Sequence, residues 1–559
     1  MEYKIPKRQQ AVQLVGPDEL RLNSEKEVFQ PGPHQILGKV MAVGLCFSDL
    51  KLLKQFAAHV RKGEVVAGVD PEVLQEIPSY VPGEMPTVPG HETVVEVCAV
   101  GPGVKDAQVG KRYLVQTDYR WVKTASSNAA FGYNFEGALQ EYVLMDERVI
   151  TAPNGESMLI PATDKRSAAA VALAEPWACV EDAYAVHERT TLKAGGEMLV
   201  VADVKVDFAT LEEFLQKYGY PGNLYWVSKS EAPEFGRVAV TNVGEMAQLD
   251  ADKVFDDIIY YGCNPELVEQ LMPRIAPRGF LNIVLGGGNL SREVDTQVGR
   301  VHYGGIRIIG TTGSDPADSM STIPATGEFR PQDSINVVGA GGPMGAMHAI
   351  RGLCQGIEGV SVFAGDLDDN RLDVLNKIAL PLAQKNKVAY QAYNPTKEKI
   401  DREFSYIVLM APLPKLVAAA VQMGSDHALI NIFAGIPATV SGPLDLQRYI
   451  ENKMYLIGTS GSTLEDMKTV LAKVESGQLD TNVSVAAISG LDGAVDGIRA
   501  VEKQLIPGKI LVYPDCKGLG LTPLEELPEK LPEVAAEMKD GVWTREAEQQ
   551  LLATYQQID

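Results

Sequence analysis

Over residues 12–150 short apolar runs alternate with turn residues, as in GKVMAVGLC (38–46) and HETVVEVCAVGPGV (91–104). This pattern predicts a β-rich domain. Within it, residues 52–88 are punctuated by proline and glycine around one helical stretch at 52–59, and read as an insertion. The alanine-rich run SAAAVALAEPWACVEDAYAVH (167–187) predicts a helix, a turn at Pro176 and a second helix. Beyond it the rhythm changes. The apolar runs EMLVVAD, NLYWVS, RVAVTN, DDIIYYG, FLNIVLGGG and IRIIGTTG alternate with helical segments over 196–326. That is the βαβ pattern of a parallel, doubly wound sheet, and residues 334–475 repeat it.

The repeat is visible in the letters. FDDIIYYGCNPELVEQ at 255 matches FSYIVLMAPLPKLVAA at 404, and LNIVLGG at 281 matches INIFAGI at 430, both at an offset of 149; IIGTTGS at 308 matches LIGTSGS at 456 at 148. Three blocks in one order indicate an internal duplication. The expected layout is α/β: a β-rich domain at 1–187, a first Rossmann-like unit at 188–328, a second at 329–478, a return to the first domain at 479–516 and a helical tail at 517–559. The tail reads as a packing or oligomer element.

Composition narrows the function classes. With 559 residues, 45% of them apolar, the chain has material for several cores, which excludes disorder as its main character. A net charge of −22, without clustered Lys/Arg, excludes nucleic acid and anionic lipid as partners. No apolar stretch is long enough for a membrane span and MEYKIPKRQQ lacks a signal-peptide core, so a cytoplasmic location is expected. The six cysteines are scattered singly, without disulfide or CxxC spacing.

Chemistry concentrates in GLCFSD (44–49) and PGHE (89–92), where thiol, imidazole and carboxylate fall at strand ends beside glycines. Those donors suit zinc, and three protein ligands leave a fourth position open. GLCFSD, then PGHE with its apolar strand and VGPGVKDAQVGKR, then ALAEP resemble, in that order, the medium-chain, zinc-dependent alcohol dehydrogenase family. Glu175, where the family's alcohol dehydrogenases carry cysteine, makes the chain more similar to the sorbitol and threonine dehydrogenases. The resemblance covers about 1–200 and 330–516. It implies a GroES-like β-rich catalytic domain with one catalytic zinc held by Cys46 and His91. Glu92 and Glu175 share the remaining work, one as ligand and one at the metal-bound water. Ser48 is implied to pass the substrate proton, and Asp49 to orient a ligand such as His91.

Three departures stand out. QTDYRWVKTASSNAAFGYNFEG holds no cysteine where relatives carry a structural zinc lobe; Lys51 replaces the histidine that ends the proton relay; and the insertion 52–88 lengthens the Cys46–His91 interval. Lys51 is either a solvated lysine or a contact for an anionic substrate group.

INVVGAGGPMG (335–345) is a strand running into a glycine turn and a helix, so Gly339, Gly341, Gly342 and Gly345 are the candidate pyrophosphate-binding residues. Asp366, 25 residues after Gly341, is the candidate acceptor for the ribose hydroxyls, which predicts NAD rather than NADP; Asp368 and Asp369 are rivals. The first unit, EMLVVADVKVDFATLEEF, has no glycine in that place, while Asp203 and Asp207 would repel phosphate. It reads as a degenerate nucleotide fold, looped out so that the second unit reaches the zinc.

The expected activity is hydride transfer between NAD(H) and a secondary alcohol or ketone of a polyol, sugar or sugar phosphate, in a homo-oligomer, dimer or tetramer. Two alternatives stand beside it: an NAD-retaining epimerase or lyase acting through transient oxidation, and a non-enzymatic nucleotide-sensing or assembly protein.

Overall fold

The computed structural model describes residues 3–459 and 461–556. It divides into two compact units, one formed by 1–181 with 462–559 and one by 182–461.

The first unit is built on an eight-stranded sheet among the described residues. Gln35–Gly44 and Glu92–Val100 pair antiparallel at its centre, with Arg112–Val115 and Leu159–Ala162 on one side. On the other side, Lys509–Val512 pairs with Gln35–Gly44, and Val485–Ser489 and Thr522–Pro523 follow. Chain ends more than 400 residues apart thus share one sheet, packed over a core that includes Val40, Val43, Val95, Tyr113, Leu139 and Val512. A helix starts earlier than its sequence pattern suggests, spanning Phe47–Gln55 directly after Cys46. Asp49 explains the start: its Oδ2 accepts the Cys46 backbone N–H at 3.2 Å, satisfying a donor the helix leaves free.

The insertion contributes Val65–Ala67 to a small sheet with Asp118–Thr124 and Asn128–Ala130. Its anchor is the buried Lys62, whose Nζ donates to the carbonyls of Val81 and Met85. Burial pushes this lysine down to about 8. The alanine-rich run forms Ala168–Ala172 and Ala174–Ala185, with Pro176 inside the first turn of the second helix, where its missing N–H is harmless. The tail helix Arg545–Gln556 docks through Glu548, whose carboxylate accepts the N–H groups of Ala168 and Ala169 at 2.6 and 2.9 Å and so caps that helix.

The second unit holds two six-stranded parallel sheets. In the first repeat the strands are, along the chain, Glu197–Ala202, Asn223–Ser228, Ala239–Val243, Phe255–Tyr261, Ile275–Val284 and Arg307–Thr311. In the second they are Ser334–Val338, Ser361–Gly365, Ala389–Tyr393, Phe404–Leu409, Gly424–Ile432 and Tyr455–Ile457. Both sheets have the order 3-2-1-4-5-6. That is the order of a dinucleotide-binding sheet.

The repeats are related by a local two-fold. Val294–Thr296 and Gly442–Leu444 pair antiparallel, with Asp295 opposite Pro443 at the centre, a pair separated by the repeat offset of 148. Helix Val298–Tyr303 packs on the sixth strand of the second repeat, and its counterpart Leu446–Glu451 packs on the sixth strand of the first. The small residues obey the same operation. A β-carbon at Gly310 would meet Ile450 at 2.7 Å, and one at its counterpart Gly458 would meet His302, the counterpart of Ile450, at 2.9 Å. Such reciprocity is the mark of an isologous contact. Here both faces belong to one chain.

Candidate functional site

The cysteine–histidine–glutamate cluster is assembled by strand register. Gln35–Gly44 delivers the chain to Cys46 at the helix N-terminus, and its partner Glu92–Val100 begins at Glu92, opposite Gly44. Gly90 turns the chain into that strand at φ +96, and a β-carbon there would meet Leu139 at 2.9 Å. Only glycine combines that backbone with that closeness.

One ligand atom each from Cys46, His91 and Glu92 lies within 4.8 Å of the others. Asp49 Oδ1 stands 3.0 Å from His91 Nδ1, so the ring keeps its hydrogen there and turns Nε2 inward. Burial disfavours charge on this imidazole, but Asp49 outweighs burial and holds it well above its ordinary value. Ser48 Oγ lies 3.1 Å from Cys46 Sγ and 3.2 Å from His91 Nε2. The predicted relay hydroxyl therefore sits within the donor set.

Glu92 is fully buried. Its Oε1 is ion-paired to the buried Lys509, which also donates to the Leu45 carbonyl at 3.3 Å. Its Oε2 has no hydrogen-bond partner among the described residues. Burial disfavours the Lys509 ammonium, yet Glu92 and then Cys46 raise it above the ordinary lysine value. Glu175 is buried and interacts electrostatically with His91, Glu92 and Lys509, but it stands outside the three-donor cluster. Burial, reinforced by Glu92, pushes it up to about 7. Lys51 is exposed on its helix.

Sequence reasoning missed Lys509 and Tyr133. The Tyr133 ring lies 6.0 Å from that of His91, and burial raises its hydroxyl. Cys179, one turn after Glu175 on the same helix, is a further thiol beside the cluster, held protonated by burial and by Glu175.

The glycine loop lies at the end of the second repeat's first strand. Gly339 adopts φ +90, and a β-carbon at Gly345 would overlap the Gly339 carbonyl, so both require glycine. Asp366 Oδ2 accepts the Gly341 N–H at 2.8 Å, and a β-carbon at Gly341 would press on that carboxylate at 2.9 Å. Gly342 differs. Its nearest neighbour would be 4.0 Å away, and it caps helix Pro343–Cys354 without a side-chain hydrogen bond, leaving the helix N-terminus free for an anion. All three acids are engaged: Asp366 Oδ1 also accepts the Asp368 N–H at 3.0 Å, Asp368 caps helix Asp369–Asn386, and Asp369 pairs with Lys397. In the first repeat, by contrast, Asp207 accepts the Ala209 N–H at 3.0 Å and fills the end of helix Phe208–Tyr218 with the protein's own carboxylate.

Residues 32–154 match the alcohol dehydrogenase GroES-like domain family. The uncharacterized protein YggP of Escherichia coli (strain K12) is 28% identical over 40% of this chain and 57% of its own length. The L-sorbose 1-phosphate reductase of Klebsiella pneumoniae is 26% identical over 41% of this chain and 57% of its own. The chain thus spans about 57% of the length of these two curated relatives. The crystal structure of 2R,3R-butanediol dehydrogenase from Bacillus subtilis overlays 90% of this chain and 99% of that enzyme, at a TM-score of 0.48 and 16% identity. The N-terminal domain, over residues 32–154, is of the alcohol dehydrogenase GroES-like type. Among the described residues, no helix is long and apolar enough to cross a membrane.

Proposed function

We propose that this chain, a relative of the zinc-dependent medium-chain dehydrogenases, transfers hydride between NAD(H) and a secondary alcohol or ketone of a polyol, sugar or sugar phosphate. The observation that carries this reading is the convergence of Cys46, His91 and Glu92 around the Ser48 hydroxyl. Thiolate, imidazole and carboxylate suit zinc, and the unpartnered, buried Glu92 Oε2 is an acceptor in want of a cation.

Zinc, when bound, supplies Lewis acidity, and NAD, when bound, supplies the hydride acceptor. The protein's own groups do the remaining work. Cys46 and His91 hold the metal, with Glu92 and Glu175 sharing the last protein ligand and the acceptor for water. Asp49 keeps the hydrogen on His91 Nδ1 so that Nε2 can donate its lone pair. Ser48 takes the substrate hydroxyl proton and hands it towards solvent. Gly339, Gly341, Gly342 and Gly345 let backbone amides and the uncapped helix end meet the pyrophosphate, and Asp366 accepts the ribose hydroxyls and repels a 2′-phosphate. The sorbose phosphate reductase among the relatives supports a phosphorylated sugar as the first substrate to try.

The test is zinc per chain in purified protein beside Cys46→Ser, followed by NADH formation on a panel of polyols and sugar phosphates. About one zinc, lost in the variant, is expected. A folded wild type that takes up no zinc overturns the reading.

A further inference from the structure

The first repeat keeps a ligand-sized cavity although it has lost its glycine turn. About 480 Å³ of space opens at the carboxyl ends of its first three strands, floored by Val201, Val227, Met246 and Leu267. Cavities of this size suit small ligands, and ligands of doubly wound sheets bind at this end.

Strand register shows what has replaced the cofactor signature. Val201 pairs with Tyr260 as Val338 pairs with Leu409, and Tyr260 and Leu409 are separated by the repeat offset of 149. Val201 in turn pairs with Val227, as Val338 pairs with Gly365. Ser228 therefore stands where Asp366 stands, followed by Lys229 and Ser230 in place of Leu367 and Asp368. A turn with two acids that repel phosphate has become one with two hydroxyls and an ammonium. Ser230 N donates to Ser228 Oγ at 3.3 Å, and the two hydroxyls lie 3.1 Å apart at the cavity rim. Lys205 reaches the same rim from the first turn, and among the described residues neither lysine has an ion-pair partner. Two acids also line the cavity: Asp203, which accepts the Tyr260 hydroxyl at 2.7 Å, and Glu245, which follows the end of the third strand, the neighbour of the strand that leads into the Ser-Lys-Ser turn.

We propose that this cavity binds a purine nucleoside monophosphate. Its phosphate meets Ser228, Lys229, Ser230 and Lys205, and the base lies on the apolar floor. A dinucleotide does not fit, because the pyrophosphate's place at the helix end is filled by Asp207. The first repeat is on this view a second nucleotide site, separate from the second repeat's cofactor loop.

The test is calorimetric titration of full-length protein with AMP, in wild type, Lys229→Glu and Gly342→Asp. Residue 342 has open space and φ −78, so the new carboxylate closes the second repeat's loop to phosphate without disturbing the fold. AMP is expected to bind wild type and Gly342→Asp alike, and to bind Lys229→Glu at least about tenfold more weakly, since one charge-assisted contact is reversed. Inorganic phosphate alone is expected to bind far more weakly than AMP. Binding lost in Gly342→Asp and kept in Lys229→Glu assigns AMP to the second repeat and overturns the proposal, as does phosphate binding equal to that of AMP. None of these readouts requires zinc or turnover, so they stand or fall apart from the dehydrogenase reading.

Discussion

Gly44 and Glu92 stand directly opposite each other on antiparallel strands, and a β-carbon on residue 44 would overlap the Glu92 carboxylate. That carboxylate cannot swing away freely, because Lys509 holds its other oxygen. Gly44→Ala is therefore expected to displace Glu92, lowering zinc affinity by about 10–100-fold and stability by about 1–3 kcal/mol. Competition with a chromogenic chelator and urea unfolding measure the two effects. Unchanged zinc affinity would show that Glu92 lies outside the coordination sphere.

Lys509→Met removes one partner of a fully buried ion pair and is expected to destabilise the fold by about 3–5 kcal/mol, because Glu92 is left charged and uncompensated. Pairing it with Glu92→Gln should return part of that loss. If the double variant unfolds as easily as the single one, the pair is not coupled.

Asp49→Asn leaves the His91 ring in place but weakens its hold on the Nδ1 hydrogen. Zinc affinity should fall by about 10–100-fold while the urea midpoint of zinc-free protein moves little. A large loss of stability without metal would mark Asp49 as a helix cap first, through its Cys46 N–H bond.

Asp366→Ser should relax the preference for NAD over NADP, measured as the ratio of kcat/KM for the two cofactors on one substrate. The same change removes the acceptor of the Gly341 N–H, so weaker binding of both cofactors is expected as well. An unchanged ratio would exclude Asp366 as the selectivity residue.

His348 gives the fold a pH dependence of its own. It is buried, its Nδ1 bonds the Tyr184 hydroxyl at 2.6 Å, and burial followed by Arg351 pushes it down to about 3 from 6.5. The folded protein keeps it neutral while the unfolded chain takes up a proton below 6.5. Its contribution is complete above pH 6.5 and is lost as pH falls towards 3, at up to about 1.4 kcal/mol per unit. Urea midpoints of wild type and His348→Gln at pH 7 and pH 5 should converge on acidification. Parallel loss in both would assign the slope to other groups.

The donor set was legible because its residues fall in two short motifs whose glycines are forced by local geometry: Gly90 by its φ, Gly44 by the carboxylate opposite. Lys509 was not, because it is one lysine in an apolar strand, and only the sheet brings it to Glu92 across 417 residues. The duplication could be read from the offset blocks, yet the face joining the repeats could not. Val294–Thr296 and Gly442–Leu444 are three residues each, too short to carry a period. The loss of the first repeat's glycine turn was plain in the letters. The replacement of Asp366 by Ser228 emerged only from strand register.

The two-fold between the repeats changes what concentration can do to this protein. When two separate chains meet through a self-complementary face, dilution parts them, and the folded population follows mass action. Here Asp295 and Pro443 meet at the centre of that face on a single chain, so the encounter is intramolecular and its effective concentration is set by covalent connection. Each copy of the protein carries both halves in equal number at any dilution. The two halves can therefore diverge in sequence without having to recognise one another anew, as the exchange of Asp366 for Ser228 illustrates.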